Sequence, residues 1–254
     1  MSKILLITIA ALASYIGYTS YNNTSTMNGL IEEMNNIIEK DYKLKELEIG
    51  EFKKILVYKI LPFYLKTYQI EGLGIYSVLT LNVGIMQMFT INVNPYEKDI
   101  PQLTIDFTVM LQTRKIYIEI YELMVDKENE KYKNYLKKVE EIKNKYSNLK
   151  DFISKISWRN EYLPVFIKKS GTSKDDKTIL NLFKEVVVAY FEYAKETPTL
   201  SKDKQKKKYE KIKEFSDQLV QKGGVAINNF KRALGEEKTK EFLGKAFYGY
   251  LQIN

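Results

Sequence analysis

Two carboxylates, Asp106 and Glu119, sit in the one stretch where residue type and spacing could support chemistry. The segment 95–124 reads PYEKDIPQLTIDFTVMLQTRKIYIEIYELM. Leu103, Ile105, Phe107 and Val109 alternate with Thr104, Asp106 and Thr108. Ile116, Ile118 and Ile120 alternate with Lys115, Tyr117, Glu119 and Tyr121. A period of two in β-branched and aromatic residues predicts two strands. Gln112-Thr113-Arg114 is the expected connection of an antiparallel hairpin. One face of that hairpin is apolar. The other holds both acids, two tyrosines and several hydroxyls, a set able to carry or deliver protons. The plain alternative is a solvent-facing strand with ordinary surface acids.

Acid–base chemistry here has few other sources. The chain has no histidine and no cysteine. Disulfides, a thiol nucleophile, a His- or Cys-based zinc site, a His-ligated haem and a Ser-His-Asp triad are all excluded. No metal is expected. The segments contain no P-loop, dinucleotide fingerprint, zincin helix or nucleophile elbow. The net charge of +8 is nearly all lysine, with arginine only at Arg114, Arg159 and Arg232. Base-edge readers lean on arginine, so nucleic acid is not an expected partner. A basic surface of this kind suits an acidic protein or an anionic ligand.

The elements that must position the hairpin follow from periodicity. The start, MSKILLITIAALASYIGYTS, has one lysine and then an apolar run. That run is short of the ~20 residues of a membrane span. It is expected as a signal peptide or N-terminal anchor, with Ala11-Leu12-Ala13 as a cleavage site and a polar spacer to residue 26. Export or membrane anchorage follows, with any membrane contact made through this segment; an organelle-targeting leader would look the same. Residues 27–254 are expected as a single domain. Met27, Leu30, Ile31, Met34, Ile37 and Ile38 form a helical stripe capped by Ser25 or Thr26. Four short strands are expected near 53–60, 63–70, 74–83 and 85–93, then the hairpin. Helices are expected over 126–149, 177–196, 202–222, 226–234 and 236–251, with Gly223-Gly224 and Gly235 as breaks. The segment from Ile156 to Asp176, holding Trp158, reads as irregular. The sum is an α+β fold: an α/β/α sandwich with a central antiparallel sheet of about six strands flanked by helices.

In this order of elements, PQLTIDF closes a Pro-bounded loop, WRNEYLPVFIKK is led by a tryptophan, and NNFKRALGEEKTKEFLGKAFYGYL ends the chain. These features resemble the ferredoxin-dependent bilin reductases, whose fold red chlorophyll catabolite reductase shares. The similarity runs over roughly 50–252 through short, degenerate motifs. The resemblance implies binding and reduction of a linear tetrapyrrole between the sheet and the last helices, with no bound cofactor and reduced ferredoxin as electron donor. Asp106 would be the acid and Glu119 its supporting carboxylate. Met88, Thr104, Thr108, Tyr117, Tyr121 and Trp158 would surround the pigment, and lysines with the scarce arginines would hold its propionates. The sequence departs from the family in two places. The region matching a pocket histidine reads GIMQMFT from Gly84, and Gly223-Gly224 stand near where a C-terminal aspartate is common. A second reading therefore stays open: a non-catalytic exported protein that binds a tetrapyrrole or a protein partner. The plainer structural readings also stand. Trp158 would be a core anchor, Met86 and Met88 gap-fillers, and the lysines of 202–213 a solvated helix face.

Overall fold

The computed structural model describes residues 3–152 and 158–252, with residues 3–13 as helical backbone only. The hairpin forms where alternation places it. Strand β6, Gln102–Met110, pairs antiparallel with β7, Thr113–Tyr121. The connection is shorter than expected, because Met110 pairs with Thr113 and leaves only Leu111 and Gln112 in the turn. Leu111 adopts φ 52°, a conformation usually left to glycine or asparagine. Its carbonyl is held by Asn23 Nδ2 at 3.0 Å and Arg114 NH1 at 3.0 Å, which keeps the strained turn closed.

Around this hairpin the described residues build a nine-stranded antiparallel sheet. Its other strands are β1 (Leu44–Glu46), β2 (Lys54–Val57), β3 (Leu61–Ile70), β4 (Gly74–Asn82), β5 (Met86–Pro95), β8 (Lys150–Asp151) and β9 (Val165–Thr172). The order is β1-β3-β4-β5-β6-β7-β9-β8, with β2 also on the edge of β3. The six anticipated strands are all present. The count rises to nine through β1, β8 and β9. The two short edge strands span three and two residues, too few for a visible period. β9 lies in the segment read as irregular, whose first two residues, 156 and 157, fall outside the described ones. Val165, Ile167 and Lys169 point inward there while Phe166 and Lys168 turn away, so a short alternating run was present.

Helices cover both faces. α1 (Lys3–Glu39), α2 (Glu130–Lys145) and α3 (Asp176–Glu196) pack on the apolar side of the hairpin. There Leu103, Ile105, Phe107, Ile116, Ile118 and Ile120 have no exposed surface and meet Met34, Val139, Phe183 and Val187. Burial of this layer, at roughly 25 cal/mol per Å² of apolar surface, is the main stabilising term. On the other face lie α4 (Lys202–Lys222), α5 (Val225–Leu234) and α6 (Glu236–Glu241), which runs on as a π-helical turn through Phe247. Tyr248 N–H donates to Leu243 O, and Gly249 then takes φ 73°, ending the helix well short of the expected 251. Lys208 corrects the reading of 202–213 as a solvated face. Its side chain is completely buried, and Nζ donates to Ile100 O at 2.5 Å with Asp99 Oδ1 at 3.8 Å. Burial lowers its pKa to about 7, against the pull of Asp99. It fastens α4 to the loop before β6.

α1 does not begin at Met27 behind a spacer. The polar stretch 19–28 is helical because its side chains have partners on the sheet. Gln87 Nε2 donates to Ser20 O at 3.0 Å and to Thr24 Oγ1 at 2.9 Å. Arg114, 1% exposed, ties three elements together. Its Nε and NH2 donate to Asp176 Oδ1 and Oδ2 at 2.7 and 3.1 Å, and NH2 also reaches Asn23 Oδ1 at 2.8 Å. Removing one partner of a buried ion pair strands the other. Arg114→Met should therefore cost about 3–5 kcal/mol of unfolding free energy in urea titration. Arg114→Lys should fail to recover most of it, since an ammonium cannot serve the same fork of acceptors.

Candidate functional site

Register places the polar residues in rows. Thr90 of β5 pairs with Asp106, Asn92 with Thr104, and Thr104 in turn with Glu119 of β7. Asp106 pairs with Tyr117, so Glu119 is its diagonal neighbour on the same face. α4, α5 and the end of α6 close over this face and leave a cavity of roughly 620 Å³, including its mouth. The sheet contributes Leu79, Thr90, Thr104, Asp106 and Tyr121 to its wall. The helices contribute Phe215 and Leu219 from α4, Ala226, Ile227 and Phe230 from α5, then Phe242, Leu243, Phe247 and Tyr248. A 3₁₀ turn over Trp158–Tyr162 delivers Arg159. The result is one polar end and a long apolar remainder.

The polar end handles two acids unequally. Glu119, 5% exposed, accepts from Tyr121 Oη at 2.6 Å and forms an ion pair with Arg159 NH1 at 3.6 Å. Arg159 NH1 also donates to Tyr121 Oη at 3.1 Å. Among the described residues Asp106 has one direct partner of this kind, Thr90 Oγ1, donating at 2.5 Å. Its pKa rises to about 6. Burial is the first cause and the nearby Glu119 the second; the Thr90 hydrogen bond and Arg159 oppose them. A carboxyl of that pKa is protonated about one-tenth of the time at pH 7, far more often than an ordinary aspartate, and so can both donate and recover a proton. Burial also pushes the Tyr121 and Tyr248 phenols up, so both remain protonated donors. On the same face, Asn92 Nδ2 and Gln102 Oε1 have no protein partner among the described residues, which leaves hydrogen-bonding capacity beside the cavity.

The anticipated residues divide. Asp106, Thr104 and Tyr121 line the cavity, and Glu119 stands behind Tyr121. Tyr117 shares the face, but its ring meets Phe152 edge-on at 4.8 Å. Met88 and Thr108 pair with each other farther toward the hairpin turn, outside the lining. Trp158 packs on Phe215 at 5.7 Å with Lys222 Nζ 4.6 Å from its ring, so it supports the wall from outside. Of the arginines, Arg114 serves the fold and Arg232 meets Tyr58 at the surface, leaving Arg159 for the site. No lysine is among the lining residues. Tyr248 and the phenylalanines of the closing helices went unpredicted, and Arg159 was expected only as one of three scarce arginines that could hold propionates. The only sequence signals were arginine's scarcity and the aromatic density of FLGKAFYGY.

No protein-family model matches the chain, and no curated protein matches it. Among solved structures, it is similar to the crystal structure of phytochromobilin synthase from tomato in complex with biliverdin, with a TM-score of 0.70 and 14% identity. The match covers 91% of this chain and 84% of that one. Phytochromobilin synthase is a ferredoxin-dependent bilin reductase, so the resemblance drawn from the sequence holds at the level of fold.

The raised pKa of Asp106 fixes a sign for stability. The folded protein holds this proton at pH values where the unfolded chain, with its ordinary pKa near 3.8, has lost it. The contribution is complete below about pH 4 and is lost as pH rises through about 6, at most ~3 kcal/mol. Asp106→Asn should therefore match wild type in Tm near pH 4 and exceed it at pH 7.5. Calorimetry across that range checks this.

Proposed function

We propose that the cavity binds a linear tetrapyrrole and that Asp106 protonates it during reduction. One observation carries the reading: a carboxyl with pKa about 6 lining an apolar cavity, closed by helices, on this fold. A flat conjugated ligand suits walls built from Phe215, Phe230, Phe242 and Phe247, since rings bury large area and stack. Its pyrrole nitrogens would lie toward the sheet, where Asp106, Thr104 and the free capacity of Asn92 and Gln102 supply donors and acceptors. Its propionates would stay at the mouth, because burying them among phenylalanines would cost more than one already engaged arginine returns.

Reducing one double bond takes two electrons and two protons. A reduced ferredoxin, a one-electron iron–sulfur donor, would supply the electrons in two encounters, steered to the basic surface. Asp106 would give one proton to the pigment, regain one from solvent and pass that on as the second. Glu119, Tyr121 and Arg159 would hold the neighbouring charge in place so that Asp106 remains the group that gives up its proton.

A second reading, pigment binding without turnover, has its own support. α4 to α6 bring no carboxylate to the cavity, and Asp217 pairs with Lys213 on the helix surface instead. One experiment separates the two. Biliverdin added to the purified chain should give a saturable change in its visible spectrum. A ferredoxin reducing system should then bleach or shift that spectrum only in an enzyme. Asp106→Asn should bind within about threefold of wild type yet turn over at least ~10²-fold more slowly. Ala226→Trp, which fills the mouth, should abolish the spectral change. A wild-type spectrum indifferent to biliverdin would remove both readings.

A further inference from the structure

Between Lys3 and Glu32 the chain carries no charged residue, although 28% of its residues are charged. From residue 14 onward this stretch of α1 has a packed side and an open side. Thr19 and Asn23 are buried against the sheet, but Tyr15, Tyr18 and Tyr21 are 48%, 69% and 74% exposed. The tyrosines recur every three residues, so they share one side of the helix. Gln112 Nε2 donates to Tyr15 Oη at 2.9 Å, which sets the β6–β7 turn beside them. Leu111 N–H donates to Ile85 O at 2.9 Å, which sets the β4–β5 turn next to that. The side chains at these tips are Ile85, Met110 and Leu111, exposed by 48%, 54% and 43%. Turns in water favour small polar residues, and Leu111 occupies a backbone conformation that glycine or asparagine would take at less cost. Preceding the tyrosines in sequence, Ile4 to Ala13 is apolar except for Thr8.

We propose that this edge of the domain rests on a lipid bilayer. The tyrosine face of α1 lies at headgroup level, the three aliphatic tips enter the acyl boundary, and the apolar run extends along the interface. Phenols suit that boundary, being apolar in the ring and wet at the hydroxyl. Ten residues of helix span only about 15 Å, half of a ~30 Å hydrocarbon core, so this run lies in one leaflet. Among the described residues no helix is long and apolar enough to cross a membrane. The anchor is rigid, because α1 continues without a break into the helix that packs under the sheet. A paired copy of the chain would cover the same edge, but it would leave a long uncharged helix face without need of three phenols.

Co-sedimentation of the full chain with phosphatidylcholine vesicles, with and without phosphatidylserine, tests this. Wild type should partition onto both. Ile85→Glu with Met110→Glu should lower the partition at least tenfold while Tm stays unchanged, since both side chains are exposed. The idea fails if wild type stays in the supernatant, or if the double variant partitions like wild type. It also fails if light scattering without lipid shows a dimer that the double variant converts to monomer.

Discussion

Two acids on one covered face of a sheet cannot both be satisfied by a single arginine, and that shortage organises the molecule. Glu119 takes Tyr121 and Arg159; Asp106 is left with Thr90 and with its proton held to about pH 6. The arrangement requires the closing helices, because exposure to water would return Asp106 to the usual carboxylate range. It also requires β9. That strand starts three residues after the Trp158–Tyr162 turn and pairs Phe166 with Glu119, so the turn that carries Arg159 is set at the end of β7.

Buried cations secure the layers that make this possible. Arg114 joins α1, the hairpin turn and α3 on the apolar side. Lys208 joins α4 to the loop at Asp99 and Ile100 on the cavity side. Asp99 also accepts from the amides of Val125 and Asp126 beyond β7, so the loops on both sides of the hairpin share one clamp. Neither cation lines the cavity. Both instead fix the two helical layers against one hairpin, which is why the polar face stays covered.

Much of this was legible in the chain because the hairpin alternates cleanly. A two-residue period over β6 and β7 announced which side Asp106 and Glu119 share, and the glycines and prolines marked most element ends. What escaped had physical reasons. β1 and β8 are too short to show a period, and β9 is a brief alternating run beside an irregular turn. The first half of α1 looks like a leader by composition, since an apolar uncharged run has the same signature whether it is targeting, anchoring or packed. Lys208 sits in a lysine-rich helix where only tertiary contact distinguishes a buried lysine from its solvated neighbours. Arg159 and Tyr248 join the site from segments far apart in sequence, and spacing within either one says nothing about their meeting. Met88 and Thr108 were on the correct face but too far along the strands to reach the cavity.

The most direct measurement is a crystal structure of the chain grown with biliverdin. The account predicts density for the pigment between the β5–β7 face and the helices α4 to α6, with pyrrole nitrogens within hydrogen-bond distance of Asp106. Pigment bound elsewhere on the molecule, or a cavity filled by its own phenylalanines while the pigment remains in solution, would contradict it.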